Sequence, residues 1–326
     1  VAQTFAVVLA AGKGTRMQSD LPKVLHKVCG KPMVQHVIDQ LQFISADRIF
    51  TVVGHKSEMI KQQLDTSSEF AYQKEQLGTA HAVKMCQKQL ADQQGSTLII
   101  TGDTPLITGK TLRKCLEYHR SSNSAATILT MVPDDPSGYG RIVRDKNGQV
   151  ERIVEHKDAT KEQTAIHEVN SGIFCFDNNL LFHALDQVST DNQQQEYYLP
   201  DVIEILKRQG KKISAVSAEN VEESFGINDS SQLAHVEEIY QTRIMEYHRQ
   251  NGVTITDPSS TSIEAGVTIG KHTVIEPRTQ LRGTTQIGEY CIVGPNVDLI
   301  DFKATDQTKI PNSPSNDDTH TIPYVN

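Results

Sequence analysis

From Ile263 to Leu299 an aliphatic residue stands at every sixth position: Ile263, Ile269, Ile275, Leu281, Ile287, Val293 and Leu299. Val267, Thr273, Thr279, Thr285, Cys291 and Val297 hold a second fixed phase and are all small or β-branched. Gly270, Gly288 and Gly294 each follow an aliphatic position. Neither an α-helix nor a pleated strand has this period. A six-residue repeat of aliphatic and small positions specifies a left-handed parallel β-helix, in which three hexads close one triangular coil and the aliphatic side chains stack inside. The repeat covers roughly two coils, few for a solenoid whose units bury surface only against neighbours. It fails from Asp301 onward, and Asn312-Ser-Pro-Ser-Asn-Asp-Asp-Thr-His is polar and contains proline. Residues 301–326 are therefore expected to form a disordered tail.

The preceding part of the chain has a different rhythm. Ala6–Leu9, Ile49–Val53 and Thr97–Thr101 are short β-branched runs, separated by Met33–Ile44, Ser57–Leu64 and Thr79–Leu90, which have helical spacing. Such alternation predicts an α/β domain whose mostly parallel sheet is covered by helices on both faces. Ala126–Val132, Arg141–Arg144, Gly172–Phe176 and Lys212–Val216 are further strand candidates. Asp229 to Gln250 reads as one long helix, with Asp229 or Ser230 to cap it and Gly252 to stop it. The expected division is residues 1–228 as the α/β domain, 229–252 as a linker helix and 253–300 as a partial β-helix.

The charge and the cysteines narrow the possible functions. A net charge of −8 argues against general nucleic-acid binding. It leaves nucleotides open, because a divalent cation and a few local basic residues can reverse the local sign. The five cysteines are scattered without a C-x-x-C, which argues against a disulfide framework or zinc site and fits a reducing cytoplasm. No apolar run reaches the length of a membrane span, so no membrane insertion is expected.

Candidate chemistry begins at residues 9–23, Leu-Ala-Ala-Gly-Lys-Gly-Thr-Arg-Met-Gln-Ser-Asp-Leu-Pro-Lys. This stretch follows a strand, and Gly12 and Gly14 permit a tight turn whose N–H groups can wrap a phosphate chain. Arg16 and Lys23 bring positive charge to the same anion. The spacing fits neither G-x-x-x-x-G-K-[ST] nor G-x-G-x-x-G. Thr101-Gly102-Asp103 ends a second strand, where α/β folds bind ligands, and a carboxylate there suits a hard cation such as Mg²⁺. Gln73, Gly78 and Thr79 precede or open a helix, and a Gln amide can match the N–H and carbonyl edge of uracil. Gly140, Glu155 and Asn170 offer a close backbone approach, a carboxylate acceptor and an amide to a sugar, and Asn228 offers an amide oxygen to a cation.

The loop resembles the signature of sugar nucleotidyltransferases. All of these segments, in this order over roughly residues 4–300, resemble the bifunctional N-acetylglucosamine-1-phosphate uridylyltransferase/glucosamine-1-phosphate acetyltransferases, truncated at the C-terminus. The resemblance implies a Rossmann-like nucleotidyltransferase domain followed by a short left-handed β-helix. It implies Mg²⁺-dependent joining of UTP to N-acetylglucosamine 1-phosphate, for cell-wall precursor synthesis in the cytoplasm, by a homotrimer assembled through the β-helix. Leu9, Ala10, Ala11, Gly12, Lys23, Gln73, Gly78, Thr79, Thr101, Gly102 and Asp103 would hold the nucleotide. Gly140, Glu155, Asn170 and Asn228 would hold the sugar phosphate, and Asp103 and Asn228 the metal. Arg16 and Lys23 would be the catalytic cations, Arg16 stabilising the departing pyrophosphate. Ala80 stands where the family has glycine, and Pro200 where it has threonine. Acetyl transfer is not expected, because that family's acetyl site lies in further coils. The alternatives are another sugar-1-phosphate nucleotidyltransferase and a hexapeptide-repeat acyltransferase.

Overall fold

The computed structural model describes residues 2–64 and 67–311. The chain divides into two compact units. One comprises the described residues up to His26 with Met33–Asp229, the other Lys27–Pro32 with the described residues from Ser230 onward.

The first unit is built on a nine-stranded sheet. Gln3–Leu9 lies at its centre, parallel to Arg48–Val53 on one side and Gly95–Thr101 on the other. Glu69–Tyr72 extends the first side. Beyond Gly95–Thr101 come Val169–Asp177, Ala126–Met131 and Ile213–Ser217. Val169–Asp177 is antiparallel to both its neighbours, while Ile213–Ser217 is parallel to Ala126–Met131. One strand of the main path is thus reversed in a mostly parallel sheet. An antiparallel pair, Arg141–Arg144 and Val150–Val154, branches from Val169.

Alternation along the central strand makes two cores. Phe5 and Val7 join Phe50, Val52 and Ile99 on one face, covered by Leu181, Leu185, Val202 and Leu206. Ala6 and Val8 join Ile49, Val53, Leu98 and Ile100 on the other, covered by Val34, Val37, Leu41, Leu112 and Leu116. Each fully buried aliphatic or aromatic side chain contributes about 1.5–3 kcal/mol by leaving water. The continuous helix expected over Thr79–Leu90 is instead two short ones, Thr79–Lys84 and Gln87–Leu90.

In the second unit the three faces of a parallel β-helix are explicit. Ile263, Leu281 and Leu299 pair in register on one face. Ile269, Ile287 and Ala304 do so on the next, and Ile255, Ile275, Val293 and Ile310 on the third. Thr273, Thr279, Thr285 and Cys291, of the second phase, are fully buried. The expectation of a disordered tail from Asp301 is corrected over residues 301–311, where Lys303–Ala304 and Lys309–Ile310 continue two faces as a third coil. The pattern disappears from the sequence because the turn at Asp301, in the left-handed region at φ 52°, is one residue short. Ala304 and Ile310 then fall one position early. The remainder of the expected tail lies outside the described residues.

The helix Ser230–Gln250 belongs to this unit. The Gln241 amide meets the Ile263 peptide group twice, donating to its carbonyl (2.9 Å) and accepting from its N–H (3.2 Å). The hairpin Lys27–Pro32 joins the same unit: Cys29 N donates to Glu237 Oε2 (2.8 Å), and Cys29 O accepts from Ala265 N (2.9 Å). Among the described residues no helix is long and apolar enough to cross a membrane.

Candidate functional site

Backbone bonds at the C-terminal ends of the parallel strands fix where the predicted loops meet. Gly102 N donates to Leu9 O (2.9 Å), Ala10 N to Val52 O (2.9 Å) and Gln73 N to Val53 O (2.8 Å). The segments after three different strands therefore open into one cleft of about 560 Å³. Leu9, Ala10, Ala11, Gly12, Lys23, Gln73, Gly78, Thr79, Thr101 and Asp103 all line it. Gly102 does not: it is buried behind the cleft, where an added Cβ would sit 3.3 Å from Leu9 O, Val24 and Val34.

Two glycines are required by geometry. Gly14 has φ 61°, and a Cβ there would lie 2.5 Å from Lys23 Cβ. Gly78 has φ 115°, and its Cβ would lie 2.4 Å from Tyr197 O. The strand-following segment 77–80 is in fact laced to the segment 197–199. Tyr197 N donates to Leu77 O (2.8 Å), Ala80 N to Tyr197 O (2.9 Å) and Leu199 N to Thr79 Oγ1 (2.9 Å). The Thr79 hydroxyl thus tethers two walls of the cleft.

Lys23 and Asp103, which line the cleft, draw in Asn228 and Arg16, which do not line it themselves. The Lys23 ammonium donates to Asp103 Oδ2 and to Asn228 Oδ1, the latter at 3.2 Å. Asn228 Oδ1 also accepts from Arg16 Nη2 (2.9 Å). Four residues from three parts of the sequence thus form one cluster. Two hard oxygen donors already converge on one positive charge, which is the donor chemistry a Mg²⁺ ion needs. Among the described residues no three His, Cys, Asp or Glu side chains group as a metal site. An ion that takes most of its ligands from phosphates and water needs only one or two from protein.

Gly140, Glu155 and Asn170 form a second group. Asn170 N donates to Gly140 O (2.8 Å), and an added Cβ at Gly140 would sit 3.3 Å from Glu155 Oε1. The group adjoins the cleft through Gly172, whose N–H donates to Asn170 Oδ1 (2.9 Å) and whose Cβ position is 3.9 Å from Thr101. Burial, then the Asp201 and Asp158 carboxylates, raises the Glu155 carboxyl to about 6. Burial, Glu204 and Asp158 raise Asp201 to about 6 as well.

Some cleft residues escaped the sequence reading. Lys13, Thr15, Gln76 and Glu196 line the cleft. Burial, then the charge of Asp103, raises the Tyr139 phenol. Tyr139 directly precedes Gly140, and Gln76 lies three residues after Gln73. All five cysteines are buried, and burial pushes the Cys86 and Cys115 thiols up to about 12.

The nucleotidyl transferase family model matches residues 5–221, and the bacterial transferase hexapeptide (six repeats) model matches residues 266–297. The chain is 53% identical over 313 residues to the bifunctional protein GlmU of Geobacillus sp. (strain WCH70), covering 96% of this chain and 68% of that protein. It is 52% identical over 300 residues to the bifunctional protein GlmU of Listeria monocytogenes serotype 4a (strain HCC23), covering 92% and 66%. With that of Enterococcus faecalis (strain ATCC 700802 / V583) the identity is 50% over 309 residues, covering 95% and 68%. The chain thus spans about two thirds of the length of these relatives. A solved structure of UDP-glucose pyrophosphorylase complexed with UDP-glucose shares the fold, with a TM-score of 0.62 at 14% identity over 74% of this chain and 99% of that one.

Proposed function

This chain belongs to the family of the bifunctional GlmU proteins, and we propose that its cleft joins UTP to N-acetylglucosamine 1-phosphate, giving UDP-N-acetylglucosamine and pyrophosphate. The observation that carries the reading is the convergence of Arg16 and Asn228 on Lys23 and Asp103, which line a cleft that also has the Gln73 amide in its wall.

The chemistry needs no nucleophilic side chain. A sugar phosphate has a second pKa near 6, so it is about −2 at neutral pH and its oxygen is already a nucleophile. That oxygen bonds to the α-phosphorus of UTP while the bond from the α-phosphorus to the bridging oxygen breaks, and pyrophosphate leaves with the electron pair. Total charge is conserved and no proton moves. The work of the protein is to hold two polyanions in line and to stabilise charge as it shifts toward the leaving group.

Lys23 and Arg16 supply the fixed positive charge, Arg16 on the side of the leaving pyrophosphate. The loop Ala10–Gly14 lines the phosphate region with backbone rather than bulk, and Gly14 lets Lys23 approach that backbone. Gln73 reads the uracil edge, with Gly78 beside it. Glu155 and Asn170 take the sugar, Glu155 accepting from hydroxyls and Asn170 both donating and accepting. The family is metal-dependent, and we assign Mg²⁺ to Asp103 and Asn228. A bound Mg²⁺ supplies Lewis-acid polarisation of the phosphates and neutralises their mutual repulsion.

The β-helix assembles the chain with copies of itself, and we take the assembly to be a trimer in the cytoplasm. Tyr290 and Ile300 on the coils are more than half exposed, at 55% and 58%, apolar area that a second copy can cover.

Incubating the purified chain with UTP, N-acetylglucosamine 1-phosphate and Mg²⁺ tests the reading. Pyrophosphate release is expected, with glucose 1-phosphate turned over far more slowly. Release with neither sugar phosphate overturns the reading; faster release with glucose 1-phosphate reassigns the substrate.

A further inference from the structure

We infer that His81 determines base selectivity without touching the base: it locks the Gln73 side-chain amide with its oxygen toward the nucleotide, which suits uracil and opposes cytosine. The inference rests on the reading of Gln73 as the base contact.

Gln73 Nε2 lies 3.2 Å from Gly78 O and 3.0 Å from His81 Nδ1. A main-chain carbonyl can only accept, so the atom facing Gly78 O must be the amide nitrogen. The same nitrogen faces His81 Nδ1, and an amide nitrogen only donates. His81 Nδ1 must therefore accept, which leaves its proton on Nε2. Both hydrogens of the Gln73 amide are then engaged. The polar atom that remains is Oε1, and among the described residues no hydrogen bond reaches it. Gln73 is 3% exposed and lines the cleft, so this orientation is set within the protein before any ligand arrives.

The consequence is chemical discrimination. Uracil presents an N3–H donor, which Oε1 accepts. Cytosine presents N3 as an acceptor, which Oε1 repels. Cytosine could be accommodated if the amide turned over, but its oxygen would then face two acceptors, Gly78 O and His81 Nδ1. The His81 ring is held in turn against Tyr197, with centroids 6.4 Å apart. Tyr197 also carries the backbone bonds to Leu77 and Ala80. His81 is therefore a positioning residue. Its role is separate from the phosphate and sugar contacts, so it should act on nucleotide choice and not on the chemical step.

Steady-state kinetics with UTP and with CTP, on the full chain, test this. His81→Phe keeps a ring against Tyr197 and deletes the acceptor. Its ratio of kcat/KM for UTP over CTP should fall about tenfold, the scale of one neutral hydrogen bond, through KM for UTP, with kcat and KM for the sugar phosphate within twofold of the parent. His81→Asn, whose Oδ1 can replace Nδ1 as acceptor, should restore the ratio. His81→Leu repeats the deletion should His81→Phe fold poorly. A UTP:CTP ratio within twofold of the parent in a folded deletion variant overturns the inference, and so does failure of His81→Asn to exceed His81→Phe. Gln73→Leu separates this from the underlying reading. If that variant keeps the parent ratio, Gln73 is not the base contact; if it loses the ratio while His81→Phe keeps it, only the role of His81 falls.

Discussion

Lys23 and Asp103 stand 80 residues apart in sequence, yet the ammonium of one rests on the carboxylate of the other, each side chain about 15% exposed. The pair is positioned by two strands that lie side by side, Gln3–Leu9 and Gly95–Thr101, whose last residues, Leu9 and Thr101, are in register. Asn228 completes the arrangement from a distant segment by accepting from Lys23. The Asp103 carboxylate is thus held by a fixed cation at the end of its strand, the position our proposal gives to a metal ligand.

Asp103→Asn tests that arrangement most directly. The substitution keeps shape and removes charge where it is needed most in the transition state. Turnover is expected to fall about 100-fold or more, the effect of losing a central electrostatic group, with the melting temperature little changed. A kcat within threefold of the parent at saturating Mg²⁺ removes Asp103 from the metal site.

Gly14→Ala probes the phosphate loop from the other side. An alanine at φ 61° is strained by about 1–2 kcal/mol, and its methyl would meet Lys23 Cβ at 2.5 Å. Lys23 or the loop must then shift, which disturbs the Lys23–Asp103 pair. Catalytic efficiency should drop at least about tenfold, a small displacement of a positioned charge being enough for this, while the protein still folds cooperatively. Unchanged kinetics would mean that the position of Lys23 is immaterial.

These two positions also mark how far the sequence reading reaches. The loop 9–23 and Asp103 were legible because glycine, basic and acidic residues at strand ends leave few chemical uses. The aliphatic columns were legible because a period of six fits few folds. The reversed strand Val169–Asp177 was not, since strands buried on both faces carry no directional pattern. The third coil was lost to one missing residue before Lys303, which moves Ala304 and Ile310 out of phase although both still face inward. Tethers such as Thr79 to Leu199, or His81 to Gln73, depend on pairings that no local spacing encodes.

Thr79→Val separates a tether from a ligand. Its hydroxyl accepts from Leu199 N (2.9 Å), and valine leaves that N–H without its partner. A loss of about 1–3 kcal/mol is expected, seen as a lower melting temperature, and Thr79→Ser should recover most of it. A stable Thr79→Val with a raised KM for UTP would instead make the hydroxyl a direct nucleotide contact.

Glu155 and Asp201 give a pH signature to stability. Both carboxyls are raised to about 6, chiefly by burial, so the folded state holds their protons more tightly than the unfolded chain does. Their contribution is fully present below about pH 4, the ordinary carboxylate range, and is lost as pH rises through 6. Glu155→Gln cannot ionise. Relative to the parent its melting temperature should therefore gain a few degrees between pH 5 and pH 7.5, about 1 kcal/mol after solvent screening. A difference that is flat or opposite in sign over that window contradicts the assignment. In kinetics at pH 7.5, Glu155→Ala should raise KM for the sugar phosphate and leave that for UTP unchanged.

Leu281→Ala asks whether the two units are coupled through more than the chain. Leu281 is fully buried between Ile263 and Leu299, in register with both, at the centre of the β-helix core. Truncating its isobutyl group to a methyl leaves a cavity that the coils above and below cannot close, because each is fixed by its own backbone ladder. The cost should be about 2–5 kcal/mol, and it falls on the second unit. Self-association, measured by sedimentation, should weaken. Pyrophosphate release per chain should stay within about twofold, since Arg16, Lys23, Gln73, Asp103, Glu155, Asn170 and Asn228 all belong to the first unit, whose cores contain no residue of the coils. A loss of turnover in step with the loss of association would show that the site depends on assembly, and the separation of the two activities by unit would have to be given up.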